Sequence, residues 1–428
     1  SYNGGTLTIT PKTATINVVA DNKTKSYATN DPALTYTSSL ASGSSLVSGT
    51  VDGIAINDTL NNIFTGALTR AQYGTLAGEQ VTTSANPAYT ITQGSLSTAN
   101  YNGINYTAGA LTISPYATPI AIVAADKTKS YATNDPALTY TATGFANVTL
   151  ANGVVINDTA ASVMSGALTR AQYGTVAGEN VGTYAITQGT LAPNTNYTST
   201  FIPAMLTITP YATPSVVTAA DKTKSYGTND PTLTYGVTGL VNGVSVDGVT
   251  LVDTPLTALT GNLIRIGTTA PNVATSIASE QVGSYTIGQG TLYASNYNIT
   301  YNAGTLTITP FATPLNVSPN AQTKVYGTND PTLTFTIANL PNQLTADGLT
   351  WTDTVANSMT GNLIRSGTSA PNVATSVASE QVGTYTINQG TLDAANYNIV
   401  YTPANLTITP VTVTITANAA TKSYGTAD

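Results

Sequence analysis

The sequence predicts an all-β chain, a tandem array of Ig-like β-sandwich domains of about 100 residues forming an elongated rod. Three observations predict it. The string LTITP, with one LTISP variant, ends at Pro11, Pro115, Pro210, Pro310 and Pro410. A second marker, K-[SV]-Y-[AG]-T-N-D-P, places Tyr27, Tyr131, Tyr226 and Tyr326 once per repeat. Within each repeat the hydrophobic period is two, as in a half-buried strand. The boundaries follow: 1–11 is the last strand of a preceding repeat, 12–115, 116–210, 211–310 and 311–410 are four repeats, and 411–428 starts a further one.

Taken in order, the elements of one repeat are short. In Thr305-Leu306-Thr307-Ile308-Thr309 the aliphatic residues face one way and the threonines the other. Leu233-Thr234-Tyr235 and Tyr285-Thr286-Ile287 alternate likewise, and β-branched and aromatic side chains suit a pleated surface. Turn signals separate them: Asn229-Asp230-Pro231, Asn242-Gly243, Asp247-Gly248 and Gln289-Gly290. No stretch has a clear amphipathic helical period; the best helical candidate is Val273–Glu280. The 25 tyrosines, against 5 phenylalanines and 1 tryptophan, are expected at core edges, ring inward and hydroxyl on a polar partner. The joints, such as Pro115-Tyr116-Ala117-Thr118-Pro119, carry two prolines in five residues and read as stiff connections.

Composition limits function. With no histidine and no cysteine, imidazole acid–base chemistry, thiol catalysis, thiolate metal sites and disulfides are all absent. Charged residues are only 8% of the chain and the net charge is −7, which argues against nucleic acid. The reading is therefore of a non-enzyme with no catalytic residues, no nucleic-acid partner and no membrane insertion within this segment.

The few charges are positional. Arg70, Arg170, Arg265 and Arg365 occupy one repeat position, and Glu79, Glu179, Glu280 and Glu380 another. Their separation is 9 residues in the first two repeats and 15 in the last two, so a structural Arg–Glu tie must be held across a variable loop. Asp31, Asp135, Asp230 and Asp330 precede proline. Asp52, Asp247 and Asp347 precede a turn glycine, with Asn152 in the second repeat, and Asp58, Asp158, Asp253 and Asp353 precede threonine. Local turn caps explain these aspartates; the rival is calcium, with Asp31, Asp135, Asp230 and Asp330 as candidates. Lys25, Lys129, Lys224, Lys324 and Lys422 read as strand-edge lysines that discourage edge pairing. The alternative for them is an isopeptide bond to Asn100, Asn196, Asn296 or Asn396, assisted by the glutamate.

Lys224 through Pro231 (KSYGTNDP), followed by Leu233-Thr234-Tyr235, resembles the opening of MBG repeats of YGX type. Gly283-Ser284-Tyr285-Thr286-Ile287, Asn296-Tyr297 and Leu306-Thr307-Ile308 resemble the closing half. Ala28 and Ala132 stand where that pattern has glycine, which argues against left-handed backbone in those two repeats. The family is also described as β-grasp-like, which adds a helix. The resemblance implies large bacterial surface or secreted adhesins of the filamentous-haemagglutinin-like, two-partner-secretion kind, with roles in cell adhesion and biofilm and an extracellular or bacterial cell-surface location. The function expected is a structural stalk or spacer whose partners are neighbouring repeats of the same chain. The alternatives are multivalent repeats binding host or matrix glycans and mucin, and a filament subunit that self-associates through strand complementation by its end segments.

Overall fold

The computed structural model describes residues 3–428. It divides into two compact units: one runs to Thr209 and includes Ser245–Leu251, and the other holds Pro210–Val244 and Val252–Asp428. The first contains repeats one and two, the second repeat four and most of repeat three.

Repeat four shows the plan. A three-stranded sheet centres on Leu315–Pro319, which pairs parallel with Ile399–Tyr401 and antiparallel with Phe335–Ala338. A four-stranded sheet runs Gln322–Val325, Ala404–Thr409, Gly383–Asn388, Ile364–Arg365. Its first pair is parallel and the rest antiparallel. The two strands that open the repeat thus each lie beside one of the two that close it, so the domain cannot form until its ends meet. Leu315, Val317, Ile387, Leu406 and Ile408 alternate inward from both sheets and are fully or almost fully buried. Burying a side chain of this size contributes about 1.5–3 kcal/mol. The other three repeats have the same pair of sheets. All-β sandwich repeats are what the sequence predicts and what the chain forms.

A hairpin, Leu344–Ala346 with Leu349–Trp351, turns at Asp347-Gly348. Both turn residues have positive φ, +49° and +78°, as a tight two-residue hairpin needs. Asp52 and Asp247 have the same left-handed backbone. By contrast, Asn242-Gly243, expected as a turn, lies inside the strand Asn242–Val246.

Among the described residues helix is limited to single turns. Ala160–Val163, Pro255–Ala258 and Val355–Ser358 were not legible as helices, yet each has a threonine cap reciprocated three residues later. The candidate at 273–280 splits into the strand Val273–Ala274 and a 3-10 turn, Ile277–Glu280. The insertion in repeats three and four is a small hairpin, Thr268–Ala270 with Val273–Ala274 in the third. At the ends, 3–10 and 411–428 form no strand; Leu7, Ile9, Val413 and Ile415 are largely exposed. The closing-strand sequence at 7–10 is therefore unpaired, and sheet-type pairing begins with a bridge between Lys12 and Tyr101.

The alanines correct one expectation. Ala28 and Ala132 have φ of +61° and +62°, close to Gly227 at +76° and Gly327 at +85°. The turn is imposed by the pairing around it, so alanine accepts left-handed strain of about 1–2 kcal/mol. Ala132→Gly removes that strain and adds a backbone-flexibility cost of about 0.5–1 kcal/mol. A net stabilisation of about 0.5–1 kcal/mol is expected, read as a raised melting temperature. An unchanged or lowered value would show the site to be unstrained.

Candidate functional site: an ion cluster shared by consecutive repeats

The charged residues singled out by position converge. In repeat three, Arg265 donates through Nε to Asp230 at 2.6 Å and through Nη2 to Glu280, and its Nη1 donates to the Ser279 carbonyl at 2.9 Å. Lys224 donates to the second oxygen of Glu280 and lies 2.7 Å from Asp230 Oδ1. One lysine and one arginine therefore share one aspartate and one glutamate. Arg70, Arg170 and Arg365 make the same ties with Glu79, Glu179 and Glu380, and with Asp31, Asp135 and Asp330. The arginine side chains are wholly buried and lie over Tyr89, Tyr184, Tyr285 and Tyr385, 5.0–5.5 Å from the ring centroid. The tyrosine of the closing Y-T-I motif is thus the floor of the cluster.

A fifth residue arrives from the next repeat. Asp347, at the hairpin turn of repeat four, accepts from Lys224 Nζ at 2.6 Å and from Arg265 Nη2 at 3.4 Å. Its Oδ1 accepts from the Asp230 amide at 2.9 Å, and its own amide donates to Asn229 Oδ1 at 2.8 Å. Asp347 is 1% exposed. In the first unit, Asp247 of the 245–251 tip is bound identically by Lys129, the Asp135 amide and Asn134. Repeat two supplies Asn152 to repeat one, donating to Glu79 Oε1 at 2.8 Å. With no third carboxylate there, Lys25 turns to the Thr29 carbonyl, 3.0 Å away.

Two further contacts lock consecutive repeats. Tyr27 donates to Asp158 of repeat two at 2.9 Å, and Tyr226 to Asp353 of repeat four at 2.9 Å. Each of these aspartates also accepts from a tyrosine of its own repeat, Tyr197 or Tyr397. Asn196 accepts from the Val81 amide and donates to Gln80, and Asn396 does the same with Val282 and Gln281. The linker folds onto the repeat it introduces: Tyr116 packs edge-on against Tyr197, and Phe311 against Tyr397. In the first unit one buried apolar cluster runs from Tyr27 and Leu111 of repeat one to Ile122 and Leu150 of repeat two.

The KxYxTNDP motif is now readable residue by residue. Its lysine and aspartate belong to the ion cluster, its tyrosine reaches the next repeat, and its asparagine holds the incoming turn. Three expectations are corrected here. The lysines do sit on edge strands but do not guard them: Lys25, Lys129, Lys224 and Lys324 are 6–8% exposed, inside the cluster. The aspartates are not mainly local turn caps; they bridge cations or accept from tyrosines. Asn196 and Asn396 lie against backbone and glutamine rather than lysine, so the lysine–asparagine isopeptide geometry is not assembled there.

The electrostatics follow the geometry. Burial alone would raise the carboxyls of Asp31, Asp135, Asp330 and Asp347, but hydrogen bonds and charge from lysine and arginine outweigh it and hold all four below the ordinary range. Burial would lower Lys129, Lys224 and Lys324, yet their carboxylate partners hold them above it. Glu280 goes the other way: its desolvation exceeds the help from Lys224 and Arg265, and its carboxyl is raised.

Oxygens of Asp135, Glu179 and Asp247, and of Asp230, Glu280 and Asp347, are close enough to surround a cation. A cation is already there, the lysine ammonium. A calcium ion at Asp31, Asp135, Asp230 or Asp330 would have to displace it and face the buried arginine. Chelation by EDTA is expected to leave the melting temperature unchanged; a fall reversed by added calcium would contradict this assignment.

Residues 120–207, 216–307 and 315–407 match the family described as MBG domain (YGX type). The chain belongs to that family, and repeat one, outside the matched residues, has the same two sheets. No curated protein matches it. Among solved structures, the N-terminal four Ig domains of Dscam1 isoform 7.44 are similar at 11% identity and a TM-score of 0.18, covering 91% of this chain and 96% of that one. Domains 4–9 of the surface layer protein SbsC are similar at 12% identity and a TM-score of 0.15, covering 92% of this chain and 65% of that one. Overlaps this weak carry no argument about this chain.

Proposed function

We propose that the chain is a non-catalytic stalk or spacer of an extracellular or bacterial cell-surface adhesin, holding an adhesive part away from its anchor and so serving cell adhesion or biofilm formation. The observation that carries it is the shared cluster: consecutive repeats within a unit are joined by a buried contact of the incoming turn with the cluster, an ion pair at Asp347 and a hydrogen bond at Asn152, and by tyrosine–aspartate bonds. The charges most conspicuous in the sequence hold repeats together rather than face a ligand. Tandem repeats of one family fit a structural role of this kind.

The test is deletion of two whole repeats from the protein displayed on a cell. Adhesive reach should shorten while adhesion by the remainder persists. Saturable binding of the purified four-repeat chain to mucin or a glycan array, steepening with repeat number, would replace the spacer with a multivalent binder.

A further inference from the structure

Repeats two and three have a groove at one equivalent place, between the Asp-Pro segment of the motif and the short strand that carries the cluster arginine. In repeat three it holds only about 170 Å³, because the tip of the inserted hairpin, Pro271-Asn272, stands in it. The Asn272 amide is assigned with its nitrogen toward the cluster, since the reverse would set its oxygen against two acceptors. That one nitrogen donates to Asp347 Oδ1 and to the Asp230 carbonyl, both at 3.0 Å.

Repeat two lacks the insertion, and its groove opens to about 530 Å³ within the first unit. Asp135 and Asp247, the equivalents of Asp230 and Asp347, keep partial exposure and line it. Asp247 Oδ1 accepts from the Asp135 amide at 3.1 Å, and among the described residues no side-chain donor reaches that oxygen or the Asp135 carbonyl. The half-buried Leu138, Leu168 and Tyr140 supply apolar walls, and Tyr173, 56% exposed, adds an aromatic ring. The adjoining cluster sets three carboxylates, Asp135, Glu179 and Asp247, against two cations, Lys129 and Arg170. Repeat one also lacks the hairpin but meets Asn152 in place of the aspartate, so its cluster is balanced.

We infer that the groove on repeat two binds the side chain of a lysine presented by a partner protein. The ammonium takes the place that the Asn272 nitrogen holds in repeat three, donating to Asp247 Oδ1 and the Asp135 carbonyl, while its aliphatic stem lies along Leu138 and Tyr140. A single nitrogen serves both oxygens in repeat three, which suits a point donor and not the planar fork of arginine. The excess carboxylate favours a cation over a neutral amide, and the rings of Tyr140 and Tyr173 attract an ammonium as well. The ion pairs of the cluster stay intact, because the lysine uses only acceptors left over. The site needs both an aspartate turn and an unfilled groove, so it does not recur with every repeat and stands whether or not the chain is a stalk.

Titration of the full chain with Nα-acetyl-lysine N-methylamide, followed by backbone amide chemical shifts, tests it. Binding should saturate at a single site with a Kd on the order of 1 mM, with shifts centred on Asp135, Tyr173 and Asp247. The Nε-acetylated probe, which has lost the charge, and the arginine analogue should each bind at least about 10-fold more weakly. Asp247→Asn, which places at this turn the residue that repeat one uses, should weaken binding at least about 10-fold. Tyr173→Ala, altered at an exposed position, should weaken it at least about 3-fold. Failure of the lysine probe to saturate, shifts centred elsewhere, equal affinity for either control probe, or unchanged affinity in either variant would each overturn the inference.

Discussion

Arg265→Met is expected to destabilise the protein by about 3–5 kcal/mol, the usual cost of removing one partner from a buried ion pair. The substitution strips the Nε bond to Asp230, the Nη2 bond to Glu280 and the Nη1 bond to the Ser279 carbonyl, and leaves Lys224 facing three carboxylates. Methionine fills much of the space over Tyr285, so the loss reports on charge and hydrogen bonding more than on a cavity. Lys222→Met is the control. Lys222 lies two residues from the cluster lysine on the same strand, is partly exposed, and should change stability by no more than about 0.5 kcal/mol. The melting transition that includes repeats three and four reads both. Equal, small effects would reduce the cluster to a surface arrangement.

Acid is the second large perturbation. The carboxyls of Asp31, Asp135, Asp330 and Asp347 are held low in the folded chain, so each contributes stability that is present above the unfolded aspartate value of about 3.9. That contribution is lost as pH falls through the lower folded values. Lys129, Lys224 and Lys324 are held high, so theirs is complete below the unfolded lysine value of about 10.4 and lost only as pH rises beyond it. Glu280, raised by burial, opposes the aspartates and is relieved by protonation. With one glutamate against four aspartates, stability should be flat from about pH 5 to 10 and fall below about pH 4. Thermal melting across pH 2–8 reads this directly; a chain whose melting temperature is constant down to pH 2 would exclude the clusters as a source of stability.

The repeat, the all-β class and the alternation in Leu306 and Ile308 were legible because they are local or periodic. So was the Arg–Glu coincidence, since each type occurs once per repeat at a fixed place. Asp347 was not, because its partner Lys224 lies 123 residues away in another repeat and a D-G pair reads first as a hairpin turn. The edge-strand placement of the lysines was legible but their role was not, because the glutamate that draws each side chain into the cluster lies 50–56 residues further along the chain. Once-per-repeat counting held one unused signal: lysine, arginine, glutamate and two aspartates recur together, with Asn152 as the single exchange, as parts of one site would. The left-handed Ala28 and Ala132 were hidden for a different reason, since tertiary pairing overrode a local preference.

The central claim is that the turn of one repeat is bound inside the ion cluster of the repeat before it. Native-state hydrogen exchange at the amides of Asp230 and Asp347 tests it most directly, because these two amides donate to Asp347 Oδ1 and Asn229 Oδ1 across the contact. Both should exchange at least about 100-fold more slowly than free turn amides, equivalent to about 3 kcal/mol, and should lose that protection in Asp347→Ala while the Ile287 and Leu306 amides keep theirs. Unprotected exchange at Asp230 and Asp347 in the wild-type chain, with Ile287 and Leu306 still protected, would show folded repeats that do not share the cluster and would contradict the account.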